Sequence, residues 1–301
     1  MKNKDRIIFW ATALVIITIV TRIMSIRQTH IDRAKDISLY NARLAVSEVS
    51  ISMTEMYTLI NALSIQYEMG YELGRIDLEA LKQYLALQAE NSETVKNMYI
   101  GFADGTLIVS DDWKKPEGYN LFERPWYAEA LETDGLNISD PYIDESTKQL
   151  VVAVSRPLYY SDGELMGVFG TNIYLYNFIS LGTNQINSGK YVFLIDEDAD
   201  IVMHPRLPFM STEDGMPNLL DIDPAYKEVL DLYPAESTHI ETREGYRTLS
   251  MYMEVPNTNY KVVSNYLSST LIYEILEEIW TNAAIVCGVI FIILITLKEA
   301  L

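Results

Sequence analysis

Apolar residues recur at alternating steps of three and four from Leu39 through Ala42, Val46, Val49, Met53, Met56, Ile60 and Leu63 to Tyr67. On a helix of 3.6 residues per turn that spacing keeps one stripe in register, so it predicts a long helix with a single apolar seam. Two uses of the seam are open: packing on the helix's own domain, or a homodimer interface. Gly70 and Gly74 bracket its end, and Leu78 to Leu87 predicts a second, shorter helix. From there the period changes to that of strands. Met98 to Ser110 reads strand, turn, strand around Asp104-Gly105, and Arg124 to Leu131 reads as a short helix with Pro125 at its start. Tyr142 to Asp144, Leu150 to Ser155 and Leu165 to Ile173 predict three more strands, the last two joined at Asp162-Gly163. Strands with local turns and few helices predict an α+β fold with helices on the faces of an antiparallel sheet.

The pattern then repeats. Tyr191 to His204 copies the first strand, turn, strand unit, and Tyr246 to Val255 with Tyr260 to Asn265 copies the later hairpin. Ser268 to Glu278 predicts a closing helix. The acidic turn Asp196-Glu197-Asp198-Ala199-Asp200 has the alternate aspartates of a calcium loop, but Ile201 stands where that loop needs glycine and Leu207 where it needs a bidentate glutamate. A plain hairpin turn is the expectation, with no metal site.

Two uncharged runs flank this region: Ile279 to Leu297, and Ile7 to Thr21, which Arg22 can extend to about Ile26 by snorkelling. The basic start at Lys2, Lys4 and Arg6 resembles a signal peptide, yet no small-x-small cleavage site follows, so an uncleaved anchor is expected. Basic residues outside both spans place both ends in the cytoplasm. The predicted layout is a cytoplasmic start (1–6), a first span (7–26), the long helix (27–75), a membrane-distal module (76–185) and a membrane-proximal module (186–268). A connecting helix (269–278), a second span (279–297) and a cytoplasmic end (298–301) follow. Residues 27–278 carry 18 basic against 40 acidic side chains, a balance that repels nucleic acid. The single cysteine, Cys287, lies in the second span, so no disulfide within the chain holds the fold.

Chemistry concentrates between Tyr119 and Asp144. Arg124, Trp126 and Tyr127 follow Tyr119 closely, and Tyr142 and Asp144 complete the stretch. An arginine fork binds a carboxylate, aromatic walls exclude water, and an aspartate suits an amine. No nucleophile pairs with a base here; the histidines, His30, His204 and His239, lie elsewhere. The stretch predicts a binding site and no catalytic one.

Tyr119, Arg124, Trp126-Tyr127, Tyr142-x-Asp144 and the strand Gly167-Val168-Phe169-Gly170-Thr171-Asn172-Ile173 together resemble the amino-acid-binding signature of double Cache sensor domains, extracytoplasmic modules of bacterial receptors. The resemblance implies two PAS-like modules after a long helix that dimerises and carries motion, with ligand in the distal module. It implies Arg124 and Trp126 at the ligand carboxylate, and Tyr127 and Asp144 near its ammonium. It brings no cofactor. At Asn172 the family has an aspartate that receives the ammonium, so hydroxy acids and short carboxylates stand beside amino acids as ligand classes. Chemoreceptors, histidine kinases and diguanylate cyclases all carry such domains. A ligand-free dimerisation scaffold is the alternative.

Overall fold

The computed structural model describes residues 3–74, 77–91, 95, 97–133, 135–148, 150–174, 189–207 and 216–300. Helix α1 (Asn3–Glu72) runs unbroken for 70 residues, roughly 105 Å at 1.5 Å per residue. It ends where Gly74 adopts φ +62°, a left-handed turn that glycine makes without strain. Helix α2 (Leu78–Glu90) starts at Asp77, whose carboxylate accepts the Ala80 N–H at 2.7 Å.

Strands β1 (Met98–Phe102), β2 (Leu107–Val109), β3 (Asn137–Ile138), β4 (Tyr142–Ile143), β5 (Leu150–Tyr159) and β6 (Leu165–Tyr174) form an antiparallel sheet in the order β2-β1-β6-β5-β3, with β4 also on β5. Helix α3 (Pro125–Thr133) lies on one face. A second sheet of β7 (Lys190–Ile195), β8 (Ile201–Met203), β9 (Ser237–Glu241), β10 (Arg247–Glu254) and β11 (Lys261–Leu267) takes the order β8-β7-β11-β10-β9. Position by position this is the same order, so the repeated sequence pattern builds the same topology twice. Two short helices, α4 (Leu219–Ile222) and α5 (Lys227–Leu230), pack with a 3₁₀ turn on its outer face. Helix α6 (Ser268–Ala300) follows β11 directly. The boundary expected at 185/186 lies outside the described residues.

The seam of α1 is spent within the fold. Ala42, Val49, Met53, Met56, Ile60, Leu63 and Tyr67 are buried in one core with Met98, Ile100, Val152, Phe169, Val192 and Val262 from both sheets. Each such apolar side chain contributes about 1.5–3 kcal/mol when fully buried. Of the two uses left open, the seam takes the first, packing on the helix's own domain, and little of it is left for a second copy. The opposite face of α1 remains, with Tyr40, Leu44, Ile51 and Ile65 exposed.

The sheets sit in order along α1. Ala34 packs with Leu249, Tyr266 and Leu271 of the second module and α6, whereas the Tyr67 ring lies 6.2 Å from that of Phe102 in the first. Both α1 and α6 are long and apolar enough to cross a membrane. Between these helices, His30 Nε2 meets Glu278 Oε2 at 2.8 Å, and Glu274 receives the Tyr266 hydroxyl at 2.8 Å.

Candidate functional site

Arg124 is fixed by the turn that precedes α3. Asn120 caps a 3₁₀ turn, Leu121–Glu123, and Arg124 ends it with extended backbone. Its carbonyl then accepts the N–H groups of Tyr127 and Ala128 at 2.9 and 3.0 Å and opens α3, with Pro125 supplying a preset φ. The guanidinium reaches across to β4, where one amino group donates to the Ile143 carbonyl at 3.3 Å. It lies 5.6 Å from the ring centroids of both Tyr119 and Tyr142. Its Nε is buried and has no hydrogen-bond partner, and no carboxylate pairs with it among the described residues.

Trp126 projects from α3 against β1, its ring centroid 4.6 Å from that of Tyr99. This approach depends on Gly101, where an added Cβ would stand 2.8 Å from the indole. Gly170 serves Tyr99 in the same way, since a Cβ there would meet the phenol ring at 2.5 Å. The glycines of β1 and β6 thus make room for the rings that wall the site.

The floor is a closed hydrogen-bond network around Asn172, which is fully buried. Its amide oxygen accepts the hydroxyls of Tyr99 at 2.5 Å and Tyr142 at 3.1 Å, and its Nδ2 donates to Asp144 Oδ2 at 3.0 Å. The other oxygen of Asp144 accepts from Ser146 Oγ at 2.6 Å, Thr147 Oγ1 at 2.7 Å and Thr147 N at 2.8 Å. Four donors therefore hold a carboxylate that is 8 % exposed, leaving lone-pair capacity only at Oδ2. Burial pushes the Tyr99 and Tyr142 hydroxyls well above the usual phenol range, so both remain donors. Burial also raises Tyr119, with the Arg124 charge and a hydrogen bond from Trp126 pulling the other way.

Tyr119, Arg124, Trp126, Tyr142 and Asp144 line a cavity of about 30 Å³ together with Asn97, Tyr99, Trp113, Glu145 and Ser146. A water needs about 10–15 Å³ of such space, so the cavity holds a few waters at most. Five of the seven residues expected from the sequence line it, and Asn172 holds three of the groups around it from below. Tyr127 does not belong to it. The residue after Trp126 on a helix points about 100° away, and Tyr127 packs against Phe122, with ring centroids 5.2 Å apart, its hydroxyl buried without a partner. The ammonium role that the resemblance implies for Tyr127 therefore has no support from the lining of this cavity. Tyr99, Asn97 and Trp113 were missed; Tyr99 is the one aromatic hydroxyl on β1, two residues from Gly101 on the same face of the strand.

Residues 23–273 match the Cache domain family. The chain belongs to that family. Among relatives of this Cache chain, the methyl-accepting chemotaxis protein McpG of Pseudomonas putida is 28% identical over 204 residues, 63% of this chain and 31% of its own. McpA of Bacillus subtilis is 31% identical over 131 residues, 42% of this chain and 18% of its own. The chain thus spans about a third or less of these relatives. The ligand-binding domain of the Pseudomonas aeruginosa amino acid chemoreceptor PctC, solved with GABA, aligns over 77% of this chain and 99% of its own, with TM-score 0.62 and 22% identity. That of Pseudomonas fluorescens CtaA with L-serine gives TM-score 0.63 at 18% identity, over 79% and 99%.

The second Cache module fills the equivalent place with side chains. Asn265 of β11, two residues from its strand end as Asn172 is from that of β6, donates to the Tyr226 hydroxyl at 2.6 Å and accepts from Ser250 Oγ at 2.6 Å. Tyr226 comes from the 3₁₀ turn Pro224–Tyr226 and packs edge-on to Phe193, ring centroids 5.5 Å apart. The acidic turn is a hairpin turn in which Asp196 Oδ1 accepts the N–H groups of Asp198 and Asp200.

Proposed function

We propose that residues 27–278 form the extracytoplasmic sensing region of a bacterial transmembrane receptor, with the module around Arg124 distal to the membrane and binding a small carboxylate. One observation carries this reading. A half-buried guanidinium with a buried, unpartnered Nε, flanked by two tyrosine rings, lines a cavity that Asp144 also lines. A buried donor left unpaired costs about 1–3 kcal/mol, and a ligand carboxylate satisfies it. An amino acid is the leading class, because Arg124 and Asp144 complement a zwitterion with no net charge left over. The names of the relatives favour a chemoreceptor over a histidine kinase or a diguanylate cyclase. Signal would pass to the membrane as a shift between two arrangements of α1, the proximal module and α6, by no more than the ligand's differential affinity for them. A homodimer would use the exposed stripe of α1 at Leu44, Ile51 and Ile65.

The Asn172 network favours a second reading, a 2-hydroxy acid. An ammonium brings three N–H donors to an Asp144 with capacity left only at Oδ2, whereas a hydroxyl brings one. Thermal unfolding of the chain in detergent with matched pairs, alanine against lactate and serine against glycerate, separates the two. A binder at a hundred times its dissociation constant adds about 2.7 kcal/mol. Arg124→Ala should weaken any carboxylate about tenfold or more, as expected for loss of a charge-assisted contact of about 1.5–3 kcal/mol. Binding that survives this substitution would overturn the carboxylate assignment.

A further inference from the structure

The sheet of the first module has a second face, and the space behind it is not filled. Leu63 and Tyr67 of α1, Leu81 and Leu85 of α2, and the cross-strand pair Ile100 and Phe169 enclose a cavity of about 250 Å³. Among the described residues, none that lines it carries a charge. Its polar edge consists of Gln66 and Tyr84, and these satisfy one another, the Tyr84 hydroxyl donating to Gln66 Oε1 at 2.9 Å. The small side chain of Ala80 leaves the rim open.

Protein interiors pack to the density of organic crystals and hold few voids larger than a water. A dry cavity of about 150 Å³ is large enough to take benzene, so this one takes a bicyclic or substituted ring. Its chemistry excludes the ligands of the Arg124 site. A carboxylate or ammonium here would be stripped of water with no partner, at a cost no contact in the cavity repays. The ring faces of Tyr67, Tyr84 and Phe169 instead suit an aromatic guest.

We propose that this cavity is a second ligand site, for a small uncharged aromatic molecule, separate from the carboxylate site. The two sites share one strand. In β1, Tyr99 faces the Arg124 cavity and Ile100 faces the apolar one, so a guest on either side bears on the same backbone. The apolar site also touches α1, the helix that runs to the apolar N-terminal segment. It does not depend on the carboxylate reading.

The test uses the full chain in lipid nanodiscs with methyl-labelled Ile and Leu, titrated with indole and toluene as probes and with benzoate as the charged control. Saturable shifts at Leu63, Leu81, Leu85 and Ile100 with both neutral probes, absent with benzoate, are expected; partition into lipid would not move these methyls. Ala80→Phe, at an exposed rim position, should weaken binding at least tenfold. Gln66→Phe closes the same rim and stands in if the first variant misfolds. Arg124→Ala should leave indole binding unchanged, so failure of the carboxylate reading does not touch this result. Linear, unsaturating shifts, equal response to benzoate, or binding that persists in both rim variants would overturn the proposal.

Discussion

Asn172 bears directly on the proposed ligand site, because it holds the hydroxyls of Tyr99 and Tyr142 and one oxygen of Asp144, groups a ligand would otherwise use. Replacing it by aspartate would place a second carboxylate where an amide now donates to Asp144 at 3.0 Å. Asn172→Asp should destabilise the ligand-free chain at neutral pH by on the order of 1–3 kcal/mol. The introduced carboxyl would carry a raised pKa in the fold, so the penalty should vanish as pH falls below the unfolded carboxylate value near 4. Melting temperature against pH checks this; a variant as stable as the parent at pH 7 would show that the two carboxylates are not forced together. The sequence made Asn172 legible as a departure, but not its partners, since Tyr99 is 73 positions away and only the register of β1 on β6 brings it near. A second titrating residue lies in the other module. Burial, aided by Arg206, holds His204 down to about 3, and its Nδ1 accepts the N–H groups of Arg206 and Leu207. The unfolded imidazole takes a proton below about pH 6.5 and the folded one does not, so stability falls as pH drops from about 6.5 towards 3, by up to about 1.4 kcal/mol per unit. Asp196, raised to about 6 by burial, acts with the opposite sign between about 6 and 3.8. His204→Gln should flatten the acid loss and Asp196→Asn should steepen it, both read from urea midpoints across that range.

At the scale of elements, α1 separates two functions by face. Met56 and Ile60 are buried against the sheets, so Met56→Ala or Ile60→Ala should cost about 2–5 kcal/mol. Ile51 is 54% exposed on the other side, and Ile51→Ala should change the monomer's stability by less than about 0.5 kcal/mol. Cysteine at 51 should crosslink two copies in the membrane while cysteine at 56 should not; the reverse would return the interface to the seam. The seam's period was plain in the sequence, as were most strands and the short helix at Pro125. What periodicity could not show was its partner, because a stripe that buries against a sheet reads the same as one that buries against a second helix. The two-residue strand Asn137–Ile138 was too short to carry a period, and β9, with exposed His239 and Glu241, carries little apolar alternation. Tyr127 was expected at the site from the resemblance and its hydroxyl, and its place on α3 sets its ring against Phe122 instead of in the cavity lining.

Across the whole molecule, the contact most able to tie one terminal helix to the other is His30 with Glu274 and Glu278. Lys190 at 3.4 Å and Tyr266 at 2.8 Å hold Glu274 from the second sheet, so the contact also reports the position of that module. His30→Ala removes the link from α1 to both glutamates, and spin labels on α1 and α6 should give a broader distance distribution. An unchanged distribution would show that packing of Ala34 and Leu271 alone fixes the helices.

The small cavity beside Arg124 has a kinetic meaning. Tyr119 and Trp113, ring centroids 5.4 Å apart, line a space of about 30 Å³, so under the proposed reading a ligand enters by displacing side chains around it. Arrival is then set by how often the walls open, and above some ligand concentration it stops rising. Departure waits on the same motion. If the proposed site fills in this way, its response to a step in ligand is no faster than the opening of its walls, however high the step.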